Sequence, residues 1–234
     1  MTKTTIKVAS YNIRKAIGTD RTRRPIRILN VLEEIDADVV VLQEADRRFG
    51  KRQSALPAFL IEAHSDYRPV PLDVQRDSMG WHGNAILVRN SIEIESHDII
   101  HIPYLEPRGV ITAQLKVKGR PFSVFGMHLD LSGLWRARQA NVIADLALRY
   151  REFGPTILTG DLNEWRTNAG CLKVFAKHYK VLDCGRSFHS MRPLARLDRI
   201  MHCDRVEAVE WGVHRSPLAT KASDHLPVWA NLSF

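Results

Sequence analysis

The spacing of apolar residues along the chain changes repeatedly between the period of a strand and that of a helix. Residues 6–13 alternate in polarity, which predicts a strand. Residues 39–42 read Val-Val-Val-Leu, a continuous apolar run typical of a strand that is buried on both faces. By the same criteria we predict further strands at residues 84–88, 110–117, 121–128, 156–159, 197–201 and 228–232.

Stretches with helical spacing separate several of these strands. Pro25 opens a predicted helix whose apolar stripe runs from Ile28 to Ile35. Three more helices are predicted at residues 55–63, 134–151 and 172–178. Because β-meanders and βα units occur in the same chain, we predict two mixed sheets packed together with helices outside them. No stretch has the composition of a linker, so we expect residues 1–234 to form a single domain.

The composition is that of a globular, basic protein. Of the 234 residues, 44% are hydrophobic and 26% are charged, which excludes a disordered or collagen-like chain. The 34 Lys and Arg residues exceed the 26 Asp and Glu residues, so the formal net charge is +8. A basic surface attracts partners that carry phosphate, among them nucleic acids, anionic lipid headgroups and small phosphate esters.

Other features of the sequence bear on the compartment. No apolar run reaches the roughly 18–20 residues that a membrane span requires, so we expect no stable membrane insertion. The first residues lack the apolar core of a signal peptide. Cys171, Cys184 and Cys203 follow no metal-binding spacing, and we expect them to be reduced and structural. We therefore predict a cytoplasmic protein, and we expect it to be monomeric.

Polar residues occupy the ends of the predicted strands, where a buried carboxylate is costly unless something pairs it. A single residue of this kind usually forms a local cap or an ion pair. Here they recur at Asn12, Glu44, His128, Asp161 with Asn163, Asp198, and Asp224 with His225. This repetition predicts a functional site at one edge of the stacked sheets.

The residue types in this set suit a hard cation. Asn12, Glu44 and Asp224 offer oxygen ligands of the kind that Mg²⁺ prefers, whereas no Cys or His cluster suits structural Zn²⁺. Asp161 and Asn163 are two residues apart, and if the segment stays extended their side chains project from the same face. One carboxylate can then hold a water beside an amide that binds the phosphate.

Eight short motifs follow one another along nearly the whole chain. They are Ser-Tyr-Asn12, Leu-Gln-Glu44, His-Gly-Asn84-Ala-Ile-Leu, Glu-Pro-Arg108-Gly, Gly-Met-His128-Leu, Thr-Gly-Asp161-Leu-Asn163, Leu-Asp198-Arg-Ile and Ser-Asp224-His225. In this order they resemble the endonuclease/exonuclease/phosphatase superfamily, which includes abasic-site endonucleases, pancreatic deoxyribonuclease and bacterial sphingomyelinases. The resemblance implies a four-layer α/β/β/α sandwich and Mg²⁺- or Mn²⁺-dependent hydrolysis of phosphate esters.

The resemblance also implies a metal site and two residues that contact or support the substrate. Glu44 matches the principal metal ligand, and Asn12 and Asp224 match residues near the metal. Arg108 matches an arginine that supports the site. Asn84 is assigned with it to substrate binding, although a turn or a supporting role is the favoured interpretation of its motif.

The remaining matched positions carry the catalytic roles. In one assignment Asp161 takes the proton of the attacking water, while Asn163 and a charged His225 stabilise the phosphate. Asp198 orients His225 and raises its pKa. Water on the metal, or His128, helps the leaving group. In the rival assignment a neutral His225 is the base, and the sequence leaves both assignments open.

Three functions are compatible with these features. The first is a phosphodiesterase that acts on nucleic acid, which the positive charge favours. The second is a hydrolase that acts on a phospholipid headgroup or a small phosphate ester, which the compact chain favours. The sequence shows no clear amphipathic membrane segment, and this counts against an interfacial enzyme. The third, a non-catalytic phosphate-binding module, is disfavoured because every catalytic position is filled.

Arg14 replaces an acidic residue of some related nucleases, which weakens the case for a second metal ion.

Three basic clusters flank the motifs and are candidates for binding phosphate, with a solvated basic face as the alternative. They are Arg14 and Lys15 with Arg21, Arg23, Arg24 and Arg27; Arg47 and Arg48 with Lys51 and Arg52; and Arg186, Arg192, Arg196 and Arg199. We interpret Trp165, Trp211 and Trp229 as packing residues rather than platforms for stacked bases.

Overall fold

The computed structural model describes residues 3–47, 53–72 and 77–234. In this part of the chain, twelve strands form two six-stranded sheets. The first sheet contains β1 (Thr5–Asn12), β2 (Val39–Gln43), β3 (Tyr67–Pro69), β4 (Ala85–Arg89), β11 (Glu207–Val213) and β12 (Val228–Ser233). Its strand order is β11-β12-β1-β2-β4-β3, and only β1 and β2 are parallel neighbours.

The second sheet has the same mixed character. It contains β5 (Glu93–Ile100), β6 (Val110–Val117), β7 (Arg120–His128), β8 (Thr156–Asp161), β9 (Lys180–Leu182) and β10 (Asp198–His202). Its order is β5-β6-β7-β8-β10-β9, with β7 and β8 as the parallel pair. The prediction of two mixed sheets is therefore confirmed.

Helices cover the outer faces of both sheets. The apolar faces of α1 (Pro25–Ile35), α2 (Ala58–His64) and α5 (Pro217–Ala222) pack in one core cluster with the first sheet. α3 (Gly133–Arg149) and α4 (Cys171–Phe175) pack against the second sheet. The result is the four-layer α/β/β/α sandwich that the sequence predicts. Among the described residues, no helix combines the length and the apolar character that crossing a bilayer requires.

The strand period divides β1 and β2 between two cores. Tyr11 and Leu42 pack in the cluster that contains the helices of the first sheet, whereas Val8 and Val41 pack in the cluster between the sheets. Full burial of each such side chain contributes about 1.5–3 kcal/mol. Gly126 of β7 lets the sheets approach closely, because a Cβ there would lie 2.6 Å from Val41 Cγ1.

Four strands of the structure are missing from the sequence-based prediction, and all four are edge strands. β5 is exposed and polar over most of its length, β11 is exposed at most of its positions, and β3 and β9 have three residues each. Edge strands lack the apolar pattern of central strands because one side faces solvent. The six-residue α5 was missed because it is too short to show a period, and α2 begins after Pro57 rather than at residue 55.

Candidate active site

The predicted strand-end residues converge where the two sheets meet. Asn12 ends β1, and residues of β7, β8 and β10 come together because His128 pairs with Asp161 and Asp161 pairs with Asp198 in the strand register. Asn12 Nδ2 donates a hydrogen bond of 3.0 Å to Asp161 Oδ2, which joins the first sheet to the second. Both side chains are buried, so the contact fixes the two strand ends relative to each other.

Asp161 is the centre of this cluster. Its Oδ2 lies 3.4 Å from His128 Nε2 and 3.7 Å from His225 Nε2. Its Oδ1 accepts a hydrogen bond of 2.9 Å from the backbone N–H of Asn163. A buried carboxylate is stable only when donors surround it, and here four groups contact it.

The segment from Asp161 to Asn163 does not stay extended, so the condition under which their side chains would share one face is not met. The strand ends at Asp161, and Asn163 has a φ of 50°, in the left-handed region. The two residues are nevertheless held together, because the hydrogen bond from the Asn163 backbone N–H to Asp161 Oδ1 closes a tight turn of the kind that aspartate favours. Asn163 Nδ2 donates to Leu129 O at 2.9 Å, which holds the amide beside the end of β7.

His225 is held as a cation. Its Nδ1 donates to Asp198 Oδ2 at 2.9 Å, and the same oxygen accepts a hydrogen bond of 2.5 Å from Ser187 Oγ. Burial disfavours the charged ring, but the carboxylates of Asp198 and Asp161 outweigh it and raise the pKa of His225 to about 10. The imidazolium is therefore the dominant form at neutral pH.

His128 is held neutral on the other side of Asp161. Burial lowers the pKa of His128 to about 3, and the nearby positive charge of Arg108 opposes protonation further. Arg108 Nη1 lies 2.9 Å from His128 Nδ1, and Arg108 Nη2 donates to Glu106 Oε2 at 3.2 Å. Arg108 Nη1 also lies 3.0 Å from His128 Nε2, and because the guanidinium can only donate, one ring nitrogen of His128 accepts from it while the other carries the ring proton.

Asn84 lies beneath the Arg108 loop. Its side chain is fully buried, and Nδ2 donates to Gly109 O at 3.0 Å and to Trp81 O at 3.3 Å. These bonds tie the segment before β4 to the segment before β6. The structure thus places Asn84 where it positions Arg108, while its assignment to substrate binding stays a prediction.

Two cations lie on the carboxylates predicted to be near a metal. Lys15 Nζ donates to Glu44, and Arg14 Nε lies 3.3 Å from Asp224 Oδ2. Arg14, Lys15 and Ala16 have positive φ values of 46°, 57° and 58°, and Glu44 has a φ of 51°. Such conformations are uncommon for residues with a Cβ and often occur at functional sites.

Comparison with known proteins identifies the family to which this arrangement belongs. The model of the Endonuclease/Exonuclease/phosphatase family matches residues 9–225. The chain belongs to the endonuclease/exonuclease/phosphatase family. Members of this family are hydrolytic phosphoesterases and generally use divalent metals.

Individual relatives of the family show how far the similarity extends. The uncharacterized protein YbhP of Escherichia coli K12 is 30% identical over 163 residues, which are 65% of this chain and 63% of YbhP, so the chain spans less than two thirds of that relative. An endonuclease/exonuclease/phosphatase family protein from Bacteroides thetaiotaomicron has a TM-score of 0.79 at 21% identity, covering 100% of this chain and 99% of that protein. A mannosyl-6-phosphatase from the same organism has a TM-score of 0.77 at 22% identity, covering 98% and 100%.

Two sets of residues offer ligands for the divalent metal of the family. Within the described part of the chain, ligand atoms of Asp161, Asp198 and His225 lie within 4.8 Å of one another. This set suits Mg²⁺ less well, because one of its donors is an imidazole nitrogen and His225 Nδ1 is hydrogen-bonded to Asp198. The second set, Glu44 with Asn12 and Asp224, fits a hard cation because its ligand atoms are oxygens. The side chains of Lys15 and Arg14 already place positive charge on Glu44 and Asp224.

The three residues of this second set are linked through Asn12. Asn12 pairs with Gln43 in the parallel register of β1 and β2, immediately before Glu44. Ser223 Oγ donates to Asn12 O at 2.7 Å and lies 3.3 Å from Asp224 Oδ1. Glu44 and Asp224 therefore flank Asn12 from opposite sides.

Sequence reasoning missed three residues that act on the site. Ser187 braces Asp198, and nothing in its local sequence marks it. Ser223 lies inside the quoted Ser-Asp-His motif, so its position was visible although its bond to Asn12 was not. Lys15 was named only as part of a basic cluster. Its ion pair with Glu44, and that of its neighbour Arg14 with Asp224, could not be predicted from the sequence.

Proposed function

We propose that this chain is a divalent-metal-dependent hydrolase of phosphodiesters. The observation that carries the proposal is the pair of histidines beside Asp161. His225 lies 3.7 Å and His128 lies 3.4 Å from Asp161 Oδ2, yet the pKa of the first is raised and that of the second is lowered. Neighbouring groups with widely separated pKa values are typical of acid–base catalysis.

Asp161 is the base that we assign to the attacking water. A carboxylate only accepts hydrogen bonds, so it can hold a water and take up its proton. Asn12 Nδ2 and Asn163 N each bind one oxygen of Asp161, which keeps the carboxylate in a single orientation. The rival base, a neutral His225, is disfavoured because a pKa of about 10 leaves little neutral imidazole at physiological pH.

His225 supplies positive charge to the phosphate. Negative charge develops on the phosphate oxygens in the transition state, and a fixed cation stabilises it without reorganisation. Asp198 holds the ring through Nδ1 and leaves Nε2 directed toward the Asp161 side. Asp198 is therefore a positioning residue that acts through His225.

His128 and Arg108 act together on the opposite side. The neutral His128 carries one ring proton that it can donate as a hydrogen bond, and with a pKa of about 3 it is not protonated to serve as an acid for the leaving group. Arg108 adds the positive charge of its guanidinium. We assign this pair to binding of a phosphate oxygen.

Glu44, with Asn12 and Asp224, is the set that we assign to the metal. Mg²⁺ or Mn²⁺, when bound, would supply Lewis-acid stabilisation of the charge on the phosphate. Glu44 and Asp224 carry Lys15 and Arg14 as internal counter-ions, so these ion pairs compete with metal binding. When these ion pairs are broken, the side chains of Lys15 and Arg14 become available to bind the substrate phosphate.

Nucleic acid is the first substrate class that the sequence indicates, and a phospholipid headgroup or small phosphate ester is the alternative. The basic clusters give only partial support for nucleic acid, because two of their arginines already form ion pairs. Arg27 lies 2.8 Å from Asp20 Oδ2, and Arg196 lies 2.8 Å from Asp183 Oδ1. Residues 48, 51 and 52 of the second cluster lie outside the described residues. A protein of similar fold is named a mannosyl-6-phosphatase, so this fold also supports substrates other than nucleic acids.

Hydrolysis of bis-p-nitrophenyl phosphate with Mn²⁺ or with EDTA tests the proposal. Asp161→Asn and Glu44→Gln should each reduce kcat by about 10²–10⁴-fold, whereas the exposed Glu62→Gln on α2 is the matched control and should leave it unchanged. Circular dichroism establishes that the variants fold. Undiminished turnover after verified metal removal, or near-normal kcat of Asp161→Asn, would overturn the proposal. Phosphate binding without turnover of any ester would identify a non-catalytic module.

A further inference from the structure

The active-site end of the second sheet carries a row of exposed apolar side chains. Leu105, Leu131, Leu134, Trp165, Met191 and Leu194 are between 61% and 66% exposed, and we call these six residues the apolar rim. Five of them lie on the β5–β6, β7–α3, β8–α4 and β9–β10 connections, and Leu134 lies in the first turn of α3; these segments are next to His128, Asp161 and Asp198. The interpretation of Trp165 as a packing residue was therefore wrong.

A buried polar network holds these connections to one another. Asp130 Oδ2 accepts hydrogen bonds of 3.0 Å from Leu105 N and 3.2 Å from Glu106 N, which ties the first connection to the second. Arg136 donates to Leu131 O at 2.6 Å and to Glu164 Oε2 at 3.3 Å, which ties the second to the third. Asp130, Arg136 and Glu164 are all buried, so the rim is held by paired charges that are costly to break.

The rim continues to the catalytic histidine. The ring centroids of Trp165 and Phe188 are 6.3 Å apart, and those of Phe188 and His225 are 4.9 Å apart. Phe188 N also bonds to Ala195 O, which closes the connection that carries Met191 and Leu194. The apolar rim therefore borders the mouth of the active site.

The chemistry of the rim selects the partner. Its side chains project from four separate connections and from the first turn of α3, and only one of the six is aromatic, so they do not offer the stacked platforms that unpaired bases require. Arg166 and Arg192 are exposed on two of these connections, Arg138 is exposed on α3, and the chain has a net charge of +8. Apolar tips among arginines complement a bilayer surface, whose headgroups are anionic and whose interior is apolar.

We propose that the apolar rim inserts into an anionic bilayer surface and that the substrate is the headgroup phosphodiester of a phospholipid. The substrate assignment rests on the proposed function, whereas the insertion does not. An exposed aliphatic side chain gains free energy when it leaves water for the acyl region, and an arginine gains it near anionic headgroups. Insertion of the rim brings the headgroup phosphates to the mouth beside His225.

Vesicle co-sedimentation in EDTA tests the insertion without any turnover. Wild type should bind vesicles of phosphatidylcholine containing phosphatidylglycerol. Leu131→Ser/Leu134→Ser should bind them roughly tenfold or more weakly, because two apolar side chains no longer insert. Phe59→Ser/Val209→Ser removes two side chains of matched exposure, 66% and 61%, from other faces and should bind as wild type does. Equal binding by the two double variants, or no binding by wild type, would overturn the insertion.

Two further measurements keep the inference distinct from the proposed function. Trp165 emission should shift to shorter wavelength on vesicle addition, and Trp165→Phe should remove that shift, whereas an unchanged spectrum contradicts insertion. Hydrolysis of phosphatidylglycerol in the same vesicles with Mn²⁺ then tests the substrate. Binding without lipid hydrolysis, beside brisk hydrolysis of bis-p-nitrophenyl phosphate or of single-stranded DNA, overturns the lipid substrate and leaves the proposed function standing.

Discussion

Asp198→Asn isolates the charge that keeps His225 protonated. Asp198 Oδ2 accepts the hydrogen bond from His225 Nδ1 at 2.9 Å, and both side chains are buried. Asparagine has nearly the same shape and can accept the same hydrogen bond, but it carries no charge. The substitution therefore leaves Asp161, 3.7 Å away, and the carboxylate of Asp224 as the negative charges that act on the ring.

The expected loss of stability depends on pH in a defined direction. In wild type the pKa of His225 is raised from 6.5 to about 10, so its charge stabilises the folded protein fully below pH 6.5. That contribution decreases as the pH rises and is lost above pH 10. Loss of one partner from a buried ion pair costs about 3–5 kcal/mol, and we expect a deficit of that size for the variant on the acidic side.

Urea unfolding in EDTA measures the deficit. The free energy of unfolding of wild type should exceed that of Asp198→Asn by about 3–5 kcal/mol below pH 6.5 and by much less above pH 10. Because every titratable group except Asp198 is present in both proteins, the pH dependence of the difference reports on the Asp198–His225 pair. A difference that is the same at both ends, or an NMR titration that shows the same pKa of His225 in the variant, would refute this assignment of the charge.

Three further predictions concern other parts of the chain. Lys15→Met removes the ammonium that competes for Glu44, so calorimetry should show Mn²⁺ binding up to about fivefold tighter than in wild type, while the exposed Lys173→Met should not change it. Arg136→Met leaves the buried Glu164 unpaired and should lower the free energy of unfolding by about 3–5 kcal/mol, whereas the exposed Arg138→Met should change it by less than about 1 kcal/mol. The three cysteines are free and buried, and burial raises the pKa of Cys171 and Cys184 to about 12, so Ellman's reagent should react with them only after unfolding; a thiol that reacts rapidly in the native protein contradicts this.

The central strands could be predicted from the sequence because each is buried on at least one face along its whole length. Val39–Gln43, with all five residues buried, is the clearest case. The edge strands could not, since most positions of β5 and β11 are exposed and their apolar residues follow no burial pattern. The pattern of apolar residues reflects contact with the core, and an edge strand makes few such contacts.

The candidate site shows the same division between pattern and geometry. Asn12, His128 and Asp161 end strands and Asp198 begins one, and the strand register alone brings three of them together. The opposite charge states of His225 and His128 could not be predicted, because they depend on burial and on the neighbours that three-dimensional packing supplies. The contact between Lys15 and Glu44 likewise depends on left-handed backbone at both residues, for which neither residue type is a signal.

The two sheets surround the mouth of the site with different chemistry. The connection after β1 contributes Arg14, Lys15 and Arg23, the last of which binds Lys15 O at 3.1 Å, so this side is cationic. The connections of the second sheet contribute the apolar rim. A polynucleotide satisfies the cationic side and leaves the apolar side in water, whereas an amphiphile with a phosphodiester headgroup satisfies both. Since exposed apolar area is unfavourable in water, the pairing of these two surfaces around Asp161 favours the amphiphile.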